Sequence, residues 1–132
     1  MTDTIKVTME HEISKKRISD LLCAGFEGGI GYWLANMTYV EPVNPSFIPM
    51  LSDGKPEPRY TWYPLNEGGL VRLQPDDSIM WYPLGLISIA GGLRLMASEY
   101  PTAFQDFLND NEDANTGDIF IQLCIFGEVI YS

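Results

Sequence analysis

Apolar and polar residues alternate strictly near the start of the chain, over residues 4–13. Successive side chains of a β-strand point to opposite faces, so this period of two predicts a half-buried strand with one face in water. The residues that would share the apolar face are Ile5, Val7, Met9, His11 and Ile13.

A helix is predicted directly after this strand, over residues 15–26. Ser14 offers a side-chain oxygen to the free N–H groups of the first turn, and the apolar residues that follow recur at helical spacing. Gly28 and Gly29 are expected to end the helix, because glycine adopts the left-handed closing conformation at low cost.

The middle of the chain is predicted to hold strands on either side of a long loop. Residues 30–40 are rich in aromatic and β-branched side chains, which is typical of a strand. Five prolines within residues 41–59 exclude a helix or a central strand there, so this segment is expected to be a proline-rich loop. Turn residues then separate three short predicted strands, over residues 60–63, 70–73 and 78–82.

The last third of the chain is predicted to be helical, with helices near residues 84–98, 101–109 and 116–127. Residues 119–126 are almost wholly apolar, and their β-branched content also permits a strand, but we predict a helix. The fold class expected from the whole pattern is α+β. A small antiparallel sheet with an N-terminal strand and helix would carry the C-terminal helices packed on it.

Composition favours one domain that spans residues 1–132. The chain has 132 residues, of which 45% are hydrophobic, and a domain of this size can bury a substantial core. No apolar run is long enough to cross a membrane, and the N-terminus lacks the pattern of a signal peptide. Two cysteines do not form a disulfide framework, so a cytoplasmic location is expected.

Charge is the one unusual feature of the composition. Eighteen acidic residues against eight basic ones give a net charge of −10, which disfavours direct binding to nucleic acids or anionic membranes. No lysine or arginine follows Arg94, so the acids of the last third have no basic neighbour later in sequence. These acids either keep the protein soluble or form a surface for a basic partner. They are Glu99, Asp106, Asp110, Glu112, Asp113, Asp118 and Glu128.

Candidate catalytic groups are scarce, so we expect a protein that is not an enzyme and uses no cofactor or metal ion. The single histidine, His11, fits a buried structural residue better than a catalytic one, and no Gly-x-Ser-x-Gly elbow presents a serine. Cys23 and Cys124 lie far apart in sequence, provide no metal-ligand spacing and read as small buried hydrophobic residues. The glycines of residues 25–31 follow a helix, whereas phosphate-binding glycines precede one.

Two stretches of the chain carry a family resemblance. Residues 18–29 read ISDLLCAGFEGG and are followed by Tyr32 and Trp33, and the C-terminal third contains TGDIFIQ at residues 116–122 and FGEVIY at residues 126–131. Together they resemble a family of small uncharacterised bacteriophage and prophage proteins. The resemblance implies a viral or mobile-element origin and the cytoplasm of an infected or lysogenic bacterial host. It implies no activity, and residues 41–83 lie outside it.

The leading functional hypothesis is a phage-type interaction protein whose carboxylates occupy the basic channel of a nucleic-acid-binding partner. An inhibitor of a host defence system such as a CRISPR effector would act in this way. Aromatic residues of the predicted sheet would anchor the contact, because tyrosine and tryptophan are favoured at interface hot spots. The partner-binding candidates are Asp106, Asp110, Glu112, Asp113, Tyr32, Trp33, Trp62 and Trp81.

Two alternatives belong to other classes of protein. A small-ligand binder that sequesters nucleotide signals would need basic residues at a pocket, and the few candidates are Arg59, Arg72 and Arg94. A structural or regulatory phage homodimer would close through exposed strand edges or through the apolar C-terminal segment.

Overall fold

The computed structural model describes residues 3–47 and 60–132, and within them helices predominate. Ser14 caps the first helix as predicted, since its Oγ accepts a hydrogen bond from the backbone N–H of Arg17. The α-helices are α1 (Lys15–Ala24), α2 (Leu86–Glu99), α3 (Pro101–Leu108) and α4 (Ala114–Phe126). α1 continues into a π-helical turn over Gly25–Gly29, and short 3₁₀ turns cover Pro45–Phe47 and Tyr63–Leu65.

The sheet has three antiparallel strands in the order β1-β2-β3. They are β1 (Leu34–Tyr39), β2 (Val71–Pro75) and β3 (Tyr82–Leu84). Met37 of β1 lies opposite Leu73 of β2, and Val71 of β2 lies opposite Leu84 of β3. β2 buries alternate side chains, so one face of the sheet covers the core and the other faces solvent. The α+β class is confirmed.

α4 is the central helix of the domain. It packs against α2, α1 and the π-helical turn and also contacts α3 and β3. Its side chains Phe120, Ile121 and Leu123 are fully buried in the core. A helix that is covered on several sides is apolar around most of its circumference, which explains the long apolar run. The predicted helix over residues 119–126 is therefore confirmed.

Glycines allow the π-helical turn after α1 to approach α4 within backbone contact. A Cβ at Gly117 would overlap the backbone N of Gly25 and lie 2.6 Å from its Cα, and a Cβ at Gly29 would overlap the carbonyl oxygen of Ala114. The expected left-handed closure of the first helix is wrong, since positive φ angles among described glycines occur only at Gly68 and Gly127. Glycine is needed here because it lets two helices pack closely.

The predicted N-terminal strand over residues 4–13 is not formed. This segment has no strand partner among the described residues, and Ile5, Val7 and Met9 are 90%, 78% and 72% exposed. A strand needs the hydrogen bonds of a neighbour and a surface to cover its apolar face, and alternation alone supplies neither. The expectation that His11 is buried is also wrong, because its exposed ring packs edge-on against Phe104.

Two of the three short predicted strands differ from the structure. Residues 60–62 form a turn, and Tyr63 begins the 3₁₀ turn Tyr63–Leu65. Pro64 in that turn has no N–H to donate to a sheet. The predicted strand over residues 78–82 overlaps β3 only at Tyr82. The part of the proline-rich loop beyond residue 47 lies outside the described residues. No described helix is both long enough and apolar enough to cross a membrane.

Candidate functional site

Two adjoining clefts form a groove over the first half of α4. The larger cleft, of about 610 Å³, is bordered by the π-helical turn, α4 and the C-terminal segment. The smaller one, of about 380 Å³, lies between the start of α3 and the start of α4. They share Tyr100, Asn115 and Ile119 as lining residues. We call the combined surface the α4 groove.

Asp118 lines the larger cleft and is the one charged residue among the buried residues that the structure describes. Its carboxylate accepts hydrogen bonds from Tyr32 Oη at 2.6 Å, Trp33 Nε1 at 2.8 Å and Gln122 Nε2 at 2.9 Å. Three neutral donors therefore satisfy the buried charge without a basic residue. Burial and the hydrogen bond to Asp118 raise the pKa of Tyr32 to about 12, so its hydroxyl remains a donor at neutral pH.

Gln122 holds the C-terminal segment against the groove. Its Oε1 accepts from the backbone N–H groups of Ile130 and Tyr131, both at 2.8 Å, and its Nε2 donates to the carbonyl of Tyr131 at 3.0 Å. The ring of Tyr131 stacks on Trp33 with centroids 5.2 Å apart, and its hydroxyl donates to Asp77. The side-chain amide of Gln122 thus makes the backbone hydrogen bonds that a neighbouring strand would otherwise make with this segment.

Replacing Gln122 with methionine, which is of similar length and apolar, is expected to release residues 130–132. The amides of Ile130 and Tyr131 would lose their acceptor, and each hydrogen bond contributes about 1 kcal/mol. Hydrogen exchange should show these two amides losing protection while those of α2 keep it. Unchanged protection at both amides would contradict the role assigned to Gln122.

Acidic residues line the smaller cleft. Glu99 is exposed at the end of α2, and Asp106 of α3 is half-buried. Asp113 caps α4, because its Oδ1 accepts from the backbone N–H of Thr116 at 2.9 Å and from its hydroxyl at 3.0 Å. These hydrogen bonds lower the pKa of Asp113. Since a carboxylate already occupies the N-terminus of α4, the groove is unfavourable for a phosphate.

The four acids proposed from the sequence fall into two pairs. Asp106 and Asp113 line the groove, whereas Asp110 and Glu112 bind Arg17 of α1. Arg17 donates to Glu112 through both terminal nitrogens, at 2.7 and 2.9 Å, and lies 2.9 Å from Asp110. No basic residue follows this turn in sequence, but Arg17, ninety-five positions before Glu112, compensates part of its charge.

The four aromatic candidates are likewise separated. Tyr32 lines the groove, whereas the buried Trp33 does not line it but contacts two lining residues, Asp118 by a hydrogen bond and Tyr131 by stacking. Trp62 is half-buried before the second 3₁₀ turn, and Trp81 lies beneath the guanidinium of Arg72, 4.6 Å from its ring centroid. Neither Trp62 nor Trp81 lines either cleft of the groove.

Several groove residues lie outside the partner-binding candidates named from the sequence. Tyr100 and Tyr131 supply aromatic surface, and Glu99 and Asp118, counted from the sequence only among the acids of the last third, supply carboxylates. One signal was readable, because a polar pair four residues apart within an apolar helix indicates a buried hydrogen-bonded network. Asp118 and Gln122 are such a pair.

The remaining candidate chemistry lies away from the groove. Arg94 lines a separate cleft beside His11, and Arg59 falls outside the described residues. Burial raises the pKa of the Cys124 thiol, so it stays protonated and is a poor nucleophile. Within residues 3–47 and 60–132, no three His, Cys, Asp or Glu side chains converge as a metal site would need.

Comparison with protein-family models, curated proteins and solved structures finds no match to this chain. The fold and the groove are therefore interpreted from their own residues.

Proposed function

We propose that this protein is a non-enzymatic binding protein that holds a basic segment of a protein partner in the α4 groove. One observation carries the proposal: among the described residues that line the two clefts there are four carboxylates and no lysine or arginine. The four carboxylates belong to Glu99, Asp106, Asp113 and Asp118.

The groove combines the two features that a lysine or arginine side chain requires. Glu99 and Asp106 offer negative charge near the mouth, and the rings of Tyr32 and Tyr100 offer faces on which a cation can lie. Ile119 forms part of the wall and can contact the aliphatic stem of the basic side chain. The charges would mainly speed association, while the aromatic contacts would slow dissociation.

The net charge and the phage-like sequence motifs support a particular setting for this activity. A basic channel that normally holds nucleic-acid phosphates is complementary to a surface of net charge −10. We therefore propose a phage-type inhibitor in the bacterial cytoplasm, acting on a nucleic-acid-binding protein of a host defence system such as a CRISPR effector. Glu112 is not part of this surface, because Arg17 holds its carboxylate.

A nucleotide-signal binder is less compatible with the groove. A phosphate placed there would meet carboxylates and no cation among the lining residues that the structure describes. Arg72 is stacked on Trp81, and Arg94 lines a separate cleft beside His11. The groove therefore favours a basic ligand over a phosphate.

The proposal is tested with a fluorescently labelled peptide of alternating arginine and glycine as the probe. The double variant Glu99→Gln, Asp106→Asn removes two groove charges and keeps side-chain size. We expect its affinity at low salt to fall roughly five- to tenfold, because each exposed charge pair contributes up to about 1 kcal/mol. Raising the salt concentration should lower the peptide affinity of the wild-type protein more than that of the variant.

A matched control removes two exposed acids that do not line the groove. Glu41→Gln with Glu67→Gln makes the net charge less negative by the same amount and should leave peptide affinity nearly unchanged. Equal losses of peptide affinity in both variants would show that the peptide responds only to the net charge of the protein. An unchanged affinity in the groove variant would refute the site. The same pair then serves as specificity controls when the wild-type protein is used to capture partners from bacterial lysate.

A further inference from the structure

Residues 3–13, here called the arm, retain the alternation of a strand without being one. Met9, His11 and Ile13 line a cleft of about 310 Å³ against α2 and α3. All three have odd numbers, so a strand formed by the arm would turn its odd-numbered face toward the helices. Toward the N-terminus the same face carries Ile5 and Val7, which the described residues leave exposed.

Exposed apolar side chains in strand alternation are unfavourable in water unless a partner covers them. We propose that the partner is a second copy of this chain. The two arms would pair as antiparallel strands about a two-fold axis, with Thr8 of one copy opposite Thr8 of the other. This interaction is separate from the α4 groove and does not depend on its proposed function.

Charge complementarity is met in this register and also in one centred on Met9, which would place Lys6 opposite Glu12; the variants below distinguish the two. Antiparallel pairing about Thr8 places Val7 opposite Met9 on the apolar face and Lys6 opposite Glu10 on the polar face. The two-fold axis repeats each contact, so both lysines gain an opposite charge. A register centred on Val7 would instead place Lys6 opposite Thr8, with no ion pair.

The cleft beside the arm gives this pairing a place for one side chain. About Thr8, Ile5 of the second copy lies opposite His11, on the face that is turned toward α2 and α3. It would enter the cleft between Leu93 and Phe104. A two-stranded ribbon is marginal in isolation, but this one would be backed by helices at both ends.

Reciprocal charge changes test the register directly. In Lys6→Glu, two glutamates would face each other across the ribbon at both ends, and in Glu10→Lys two lysines would do so. Each variant alone should raise the dimer dissociation constant roughly tenfold, measured by sedimentation velocity over a concentration series. Mixing the two variants should restore dimers, since every glutamate of one copy then faces a lysine of the other.

Two controls make the test specific. Glu12→Lys has the same charge change as Glu10→Lys but lies opposite Thr4 in this register. Alone it should dimerise like the wild type, and labelled Lys6→Glu should join it in dimers less readily than it joins Glu10→Lys. Ile5→Ser should weaken the dimer, whereas Ile79→Ser, at an equally exposed isoleucine outside the arm, should not. All five positions are exposed, so the variants should keep the helical circular dichroism of the wild type.

Three results would overturn the proposal. They are a wild-type chain that stays monomeric at millimolar concentration, a Lys6→Glu and Glu10→Lys mixture that stays monomeric, and Lys6→Glu that joins Glu12→Lys in dimers at least as readily as it joins Glu10→Lys. The last would place Lys6 opposite Glu12 and centre the pairing elsewhere.

Discussion

Replacing Gly117 with alanine is expected to destabilise the protein by about 3 kcal/mol and to lower its melting temperature by roughly 10 °C. The added Cβ would overlap the backbone N of Gly25 and lie 2.6 Å from its Cα. Backbone atoms of a helical turn cannot rotate away as a side chain can, so α4 and the π-helical turn must separate. Chemical denaturation measured by circular dichroism gives the free energy of unfolding directly.

Gly91→Ala is the matched control for this prediction. Gly91 also lies within a helix, but a Cβ there would have no heavy atom within 4 Å. Alanine should therefore stabilise α2 by about 0.5–1 kcal/mol through helix propensity alone. If Gly117→Ala were as stable as Gly91→Ala, the close packing of the π-helical turn against α4 described above would be contradicted.

This close packing also shows where sequence reasoning reaches its limit. Gly28 and Gly29 were correctly placed near the end of the first helix, but the reason given was a local one. The actual reason involves α4, nearly ninety residues later, where the carbonyl of Ala114 approaches Gly29. The sequence shows that a glycine is present, but it does not show which backbone atoms, remote in sequence, pack against it.

The helices were predicted well because their signals are local. The 3.6-residue period of α2 and the proline that begins α3 are visible within one short window. Residues 119–126 were ambiguous by the same measure, because a buried strand and a buried helix both read as apolar runs. The structure resolves the ambiguity through the polar pair Asp118 and Gln122, whose four-residue spacing places both side chains on one side of α4.

Strand prediction failed where a strand would have needed a partner. The arm has better alternation than β3, yet only β3 pairs with another strand, through β2. Alternation reports which face could be buried, whereas pairing depends on contacts between segments remote in sequence. The proposed pairing of two arms would supply the missing partner from a second chain.

The candidate site was predicted only as a region. Counting acids after Arg94 led to the α3–α4 turn, which does border the α4 groove through Asp106 and Asp113. Counting charges along the chain did not reveal that Arg17 reaches the same turn from α1. Whether an acidic side chain pairs with a residue of the same chain or is open to a partner depends on its neighbours in space, which the sequence does not show.

Replacing Arg17 with methionine is accordingly the second large effect that we expect, a loss of about 2–3 kcal/mol in the free energy of unfolding. The side chain of Glu112 is only 8% exposed, and the variant would leave this carboxylate without its cation. The carbonyl of Phe107 would also lose the hydrogen bond from Arg17 Nη2. Removing one member of a largely buried pair costs more than the pair itself contributes, because the remaining charge stays desolvated.

Two further variants separate this explanation from simple loss of charge. Lys16→Met removes a neighbouring cation whose side chain is 75% exposed, and its ion pair with Asp20 should contribute no more than about 0.5 kcal/mol.

The double variant Arg17→Met with Glu112→Leu should be more stable than Arg17→Met alone, because it leaves no buried carboxylate without a cation. A double variant less stable than Arg17→Met would refute the unpaired carboxylate as the cause.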